Sequence, residues 1–167
     1  MGVMLKKDVA LLCLMGLSMV LYSLAAITHA WFTLPPHSFY GIWSVVFCDF
    51  LQCQIIPAMF SDEPGWYHIL QLLCIISWLG LGAAFFMMLL PNNMHKILFP
   101  DQMVIHHHTL TSAICYVSAL AIFLSLIIFY GKLCESSNVR PSVSWSSALA
   151  VLSGMGDFTV GLLLMKS

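Results

Sequence analysis

Four long apolar stretches, each closed at both ends by charge or turn residues, dictate most of what this chain can become. Roughly 20 apolar residues wound as a helix match the ~30 Å hydrocarbon core of a bilayer. The first stretch runs from Val9 to about Thr28, between Lys6-Lys7-Asp8 and His29. The second runs from Ile69 to Leu90, between Asp62-Glu63-Pro64-Gly65 and Pro91-Asn92-Asn93. The third covers Leu110 to Tyr130, between His106-His107-His108 and Gly131-Lys132, and the fourth about Ser144 to Met165, between Arg140-Pro141 and Lys166. With 60% hydrophobic residues and 8% charged, the chain has too little polar surface to cover a water-soluble domain. In lipid every backbone polar group must be satisfied within the segment, so such stretches become helices. The expected fold is an all-α membrane protein, a single four-transmembrane-helix domain over residues 1–167 embedded in the lipid bilayer. Its helices are expected at about 9–28, 69–90, 110–130 and 144–165, with outer loops 29–68 and 131–143 and a cytoplasmic loop 91–109.

Basic residues near helix ends concentrate on the cytoplasmic side. An inside N-terminus puts Lys6, Lys7, Lys96 and Lys166 in the cytoplasm and leaves Lys132 and Arg140 outside. Residues 31–66 hold Asp49, Asp62 and Glu63 and no Lys or Arg, in keeping with an outer loop. Both termini are thus expected to be cytoplasmic, in a multi-pass protein of the plasma membrane. Thr28-His29-Ala30 would serve as a signal-peptidase site, but the preceding apolar run exceeds the roughly 7–15 residues of a signal peptide and is expected to stay as a helix. The six Lys and Arg form no patch and the net charge is −1, which argues against nucleic acid as a partner.

The first outer loop carries the strand-like chemistry. Phe39 to Cys48 is rich in β-branched and aromatic residues, and Cys53 to Ile56 resumes that character after Asp49-Phe50-Leu51-Gln52. Two strands joined by this turn set Cys48 opposite Cys53, near enough for a disulfide, which an extracellular setting favours. The alternative is a pair of unbridged thiols. Cys134 adds a third cysteine on that side, just beyond the third helix: a free thiol, a link to a second subunit in a homo-oligomer, or a palmitoylation site if the topology is inverted. Cys13, Cys74 and Cys115 fall within helices and are expected to act as small core hydrophobes.

Trp31, the tripeptide Gly41-Ile42-Trp43, Cys48 and Cys53 follow the first helix in the order found in a known group of tetraspan proteins. The chain resembles the superfamily of claudins, peripheral myelin and epithelial membrane proteins, and calcium-channel gamma subunits. That resemblance implies a small extracellular sheet built from the first loop and part of the second, with the tryptophans resting on the outer end of the bundle. It also implies work done by contact with other membrane proteins, in cis or in trans, including at cell junctions. Several features differ from junctional claudins. The cysteines stand closer together, Ile42 replaces Leu, the first loop is too short for the full claudin sheet, and that loop has no basic residue to line a pore. After Met165 only Lys166 and Ser167 remain, so the C-terminal tail of junctional claudins has no counterpart. The likeness is to the small, tail-poor members.

Inside the spans, Asp157 stands out near the middle of the fourth helix, where an aspartate costs roughly 2.5–3.5 kcal/mol on insertion scales. Ser153, Asp157 and Gly161 share one helical face, with Ala150 and Gly154 beside them, a strip suited to close packing. Asp157 serves either as a proton or ion site or a hook for another membrane protein, or as a protonated acid hydrogen-bonded to Ser or Thr within the bundle or one lying nearer the cytoplasmic interface; the structural role is the one expected. Gly80 and Ala84, with Gly82 and Ala83, repeat the packing signature in the second helix. His106-His107-His108 and His95 read as a polar cap and not a metal site, since three adjacent helical residues diverge by about 100° each. His29, His37 and His68 read as loop or interface residues. No nucleophile elbow, zinc-protease motif or phosphate loop is present, so neither catalysis nor a cofactor or metal is expected. The expected role is that of a non-enzymatic auxiliary or regulatory membrane subunit acting through protein–protein contacts; a claudin-like contact or membrane-organising protein is the alternative, and a small pore or transporter the second alternative.

Overall fold

The computed structural model describes residues 6–35, 38–48, 52–58, 64–89, 106–136 and 140–166. Helices α1 (Lys6–Ile27), α2 (Gly65–Leu89), α3 (His106–Ser136) and α4 (Trp145–Met165) carry most of the chain. All four are long and apolar enough to cross a membrane. They pack as a bundle in which α4 lies on both α1 and α3, and α2 on α3 and α1. Leu120, Ile127, Leu79 and Phe86 are among the many large apolar side chains that point away from the bundle, as a lipid-facing surface requires.

Glycines and serines bring the helices together. A Cβ at Gly80 of α2 would collide with Ser118 Oγ of α3, and one at Gly156 of α4 with Ser18 Oγ of α1. The expected packing at Gly80 and Ala84 is found, since Ala84 is fully buried. Gly82 and Ala83 do not share it: nothing lies within 4 Å of a Cβ at Gly82, and Ala83 is exposed.

Three of the helices are longer than their apolar runs. α1 begins at Lys6 and α2 at Gly65, taking in Trp66, Tyr67 and His68, so His68 is helical and not a loop residue. Tyr67 is buried there, which gives the extra turn a packing reason. α3 continues through Gly131 to Ser136, with buried Leu133 anchoring the last turns and an exposed Lys132–Glu135 pair at i, i+3 spanning them. Cys134 consequently sits within α3 and not beyond it. The expected loop 91–109 lies outside the described residues as far as residue 105, together with His95 and Lys96.

The loop after α1 folds into strands β1 (Phe32–Leu34), β2 (Ser38–Tyr40), β3 (Ser44–Cys48) and β4 (Cys53–Pro57). A fifth, β5 (Ser142–Val143), comes from the segment between α3 and α4. The antiparallel order is β4-β3-β2-β1-β5. The first loop thus gives the small sheet expected of it, in four strands of three to five residues. One expectation needs correction. The run from Phe39 to Cys48 is not one strand: it breaks at Gly41-Ile42-Trp43, where the Gly41 N–H donates to Ser44 O at 3.0 Å and closes a turn between β2 and β3.

Candidate functional site

Trp31 locks the sheet to the bundle. It is fully buried, and its indole N–H donates to Ala25 O of α1 at 2.6 Å. Its own N–H donates to Tyr40 O at 2.9 Å, while its carbonyl accepts from the Ser144 N–H at 3.2 Å and from the Ser147 hydroxyl. One residue thereby ties together α1, β2 and the start of α4. Phe129 of α3 is the hub beneath it, with ring centroids 5.1 Å from Phe32, 5.8 Å from Tyr67, 6.3 Å from Trp66 and 6.4 Å from Trp31.

Gly41 is held from two sides. A Cβ there would fall 2.6 Å from His29 Cα, and the Tyr67 hydroxyl donates to Gly41 O. Ile42 is buried, and Gln71 Nε2 donates to both Ile42 O (3.2 Å) and Ala58 O (3.1 Å), so α2 grips the turn and the end of β4 together. Trp43 is half-buried against the same core, and its carbonyl accepts from the Ala58 N–H at 2.9 Å. Tyr67 and Gln71 were missed by sequence reasoning; a glutamine and a tyrosine facing the sheet from the first turns of an apolar helix were the available signal. Cys48 and Cys53 are cross-strand partners joined by a disulfide.

Among the described residues both ends of the sheet are unpaired, and β4 is the longer of the two edges. Every residue of β4 is exposed, and among the described residues no strand pairs with its outer edge. The register aligns Phe39, Val46 and Ile55 on one face, and Tyr40, Val45 and Ile56 on the other. Val45 is buried and Tyr40 packs on the core, so the second face looks towards the bundle. Ile55 is 61% exposed on the far face, and Ile56 is 46% exposed where β4 overhangs. None of the five strands contains a charged residue. Proteins ordinarily protect an edge with charge, bulges or a covering element, and among the described residues only Pro57 at the strand end limits pairing. Uncharged, apolar and unpaired, this edge is suited to contact with another protein.

Within the bundle, Asp157 is fully buried. The expected hydrogen bond to Ser or Thr is not made. Ser153 Oγ donates instead to Ser18 O of α1 at 2.7 Å, and Ser112 Oγ to Gly161 O at 2.8 Å, each serving a helix contact. Neither carboxyl oxygen has a hydrogen-bond partner. Cys74 and Cys115 are buried as expected for small core residues, whereas Cys13 is exposed on α1. His29 Nδ1 lies 2.8 Å from Ser44 Oγ, a further link between the α1 end and β3. Among the described residues no three His, Cys, Asp or Glu side chains come together as metal ligands. No protein-family model matches this chain, and no curated protein matches its sequence.

Proposed function

We propose that this chain is a non-enzymatic tetraspan membrane protein that works through protein–protein contacts, as an auxiliary or regulatory subunit of another membrane protein. The observation that carries this reading is the uncharged, exposed β4 edge, held at one end of a bundle whose helices are long and apolar enough to cross a membrane. On this reading the sheet end is extracellular, both termini are cytoplasmic and the membrane is the plasma membrane. The basic residues Lys6, Lys7, Lys96 and Lys166 support that orientation, and a disulfide between Cys48 and Cys53 suits an oxidising compartment. A bundle interior filled by Met15, Tyr22, Leu81 and Ile122, each fully buried, weighs against a pore.

A claudin-like contact role is the second reading. It is favoured by Trp31, Gly41, Trp43 and the cysteine pair, and by the row Phe39, Val46 and Ile55 on the sheet face turned away from the bundle.

Purification from native membranes in mild detergent tests the proposal. A single co-purifying membrane protein in near-equal amount is expected, with recovery at least roughly tenfold lower for an Ile55→Lys, Ile56→Lys variant at equal surface level, the cost of burying unpaired charge in an interface. Recovery of this chain alone, or undiminished recovery with the variant, would count against it.

A further inference from the structure

The hydrogen bonds of the sheet decide which backbone groups β4 turns outward. In an antiparallel pair, residues that exchange bonds alternate with residues that do not, and the unbonded ones stand closer together. The Ala58 N–H donates to Trp43 O at 2.9 Å, which makes these two a bonded pair just beyond β4. Ser44 and Pro57 come next and are not bonded, because Pro57 has no N–H and Ser44 O is taken by the Gly41 N–H on the β2 side. Alternation then bonds Val45 to Ile56 and Phe47 to Gln54, and leaves Val46 with Ile55 and Cys48 with Cys53 unbonded. The 4.0 Å between the Cα atoms of Cys48 and Cys53 agrees with a close, unbonded pair. The main-chain groups of Cys53 and Ile55 therefore face out of the sheet, as does the Pro57 carbonyl.

Among the described residues no strand takes these groups. Ile55 stands at the middle of the outward row, and its side chain lies on the far face beside Val46 and Phe39. An apolar residue brought opposite it would lengthen that row and cover the exposed Ile55. The residues on either side of the newcomer would turn to the other face, beside Gln54 and Ile56. A charge in that stretch would lose its water with no opposite charge to meet, since no strand of the sheet carries one. The loop that bears β4 holds Asp49, Asp62 and Glu63 and no Lys or Arg. Two such loops repel each other, whereas a basic one is attracted. A second copy of this chain is thus the poorer occupant.

We propose, resting on the contact role of this edge, that a different protein adds a strand to β4: an extended, uncharged segment borne on a basic loop. Ile55 sets the register, its N–H and C=O exchanging two hydrogen bonds with one apolar residue of that segment. The outward groups of Cys53 and Pro57 bond on either side, and Pro57, lacking an N–H, limits the addition at its end. Main-chain bonds supply the affinity, and the row of Phe39, Val46 and Ile55 supplies the selectivity.

Replacing Ile55 by its α-hydroxy acid analogue tests this, because it removes the outward N–H and keeps the side chain. The tagged full-length chain is recovered from native membranes in mild detergent, at equal surface level, and the co-purifying membrane protein is quantified by mass spectrometry. Recovery of that protein should fall roughly tenfold, the loss of a hydrogen bond that leaves its acceptor unpaired, while the thermal midpoint and the Cys48–Cys53 link stay unchanged. Ile55→Pro removes the same N–H and should do at least as much; it decides the matter where the analogue does not fold. Undiminished recovery in a folded variant overturns strand addition and leaves the contact role standing. A wild-type chain that recovers no partner overturns the contact role, and strand addition with it. Untagged copies of this chain recovered in place of another protein, and lost with the variant, would show β4 pairing with itself and overturn the different partner. Raising the salt should lower recovery, and indifference to salt overturns the basic loop.

Discussion

Gly41 is the place where one methyl group should do most damage. A Cβ at this position falls 2.6 Å from His29 Cα and 3.0 Å from both His29 C and Ser44 O. Carbon atoms in good contact stand about 3.5–4.0 Å apart, so the overlap with His29 Cα is close to an ångström. The obstructing atoms are backbone, which cannot rotate aside as a side chain would. Overpacking of this kind costs about 1–3 kcal/mol. Displacing Gly41 also pulls on its N–H bond to Ser44 O and on the Tyr67 hydroxyl bonded to its carbonyl, and losing one of these adds about 1 kcal/mol. Gly41→Ala should therefore destabilise by about 2–4 kcal/mol, a fall in thermal midpoint of roughly 4–16 °C for a chain of this size. Buried Cys74 and Cys115 provide the assay, since a thiol-reactive dye reports their exposure during heating in detergent. Gly131→Ala is the control: nothing lies within 4 Å of its Cβ, and alanine in place of glycine within α3 should stabilise by about 0.8–1 kcal/mol. An unchanged midpoint for Gly41→Ala, or an equal loss for Gly131→Ala, would refute the claim that the turn is wedged against the α1 end.

Peptide mapping without reduction should recover Cys48 linked to Cys53; finding both alkylated in native protein would sink the disulfide. Epitope tags at residue 1 and after residue 167 should stain only permeabilised cells, and a tag at residue 1 visible on intact cells would reverse the orientation. Gly80→Ala should cost about 1–3 kcal/mol by striking Ser118 Oγ, and adding Ser118→Ala should restore most of it, because the obstruction is a single side-chain atom. No restoration in the double variant would place the cause elsewhere.

What could be read from the sequence follows the range of the forces involved. The four spans were legible because apolar length is a local property, and α4 begins within a residue of its expected start. The far end of α3 was not, because Gly131 and Lys132 look like a stop; only the tertiary burial of Leu133 shows why the helix goes on. β3 and β4 were legible from their composition and the cysteines between them. β1 and β5 were not legible from composition, since strands of three and two residues have no periodicity and their pairing joins residues on opposite sides of the bundle's sequence; only the family resemblance implied that part of the second loop joins the sheet. Trp31 and Gly41 were found by their pattern, but their roles came from contacts: the indole hydrogen bond to Ala25 O and the backbone of His29 against Gly41. Asp157 was singled out by its chemistry. Its neighbour was misjudged because the adjacent hydroxyls are used on backbone carbonyls, which no spacing rule reveals.

Photo-crosslinking from the sheet edge addresses the proposed function most directly. A photoreactive residue is placed at Ile55 or Ile56 of β4 and, for comparison, at Leu120, which is 68% exposed on the side of α3 that faces away from the bundle. Irradiation of native membranes, followed by mass spectrometry of the adducts, identifies what each position touches. Contact through the sheet predicts protein adducts from position 55 or 56 and chiefly lipid adducts from position 120. Protein captured from position 120 with none from either β4 position would contradict it, and would move the contact from the sheet to the helices.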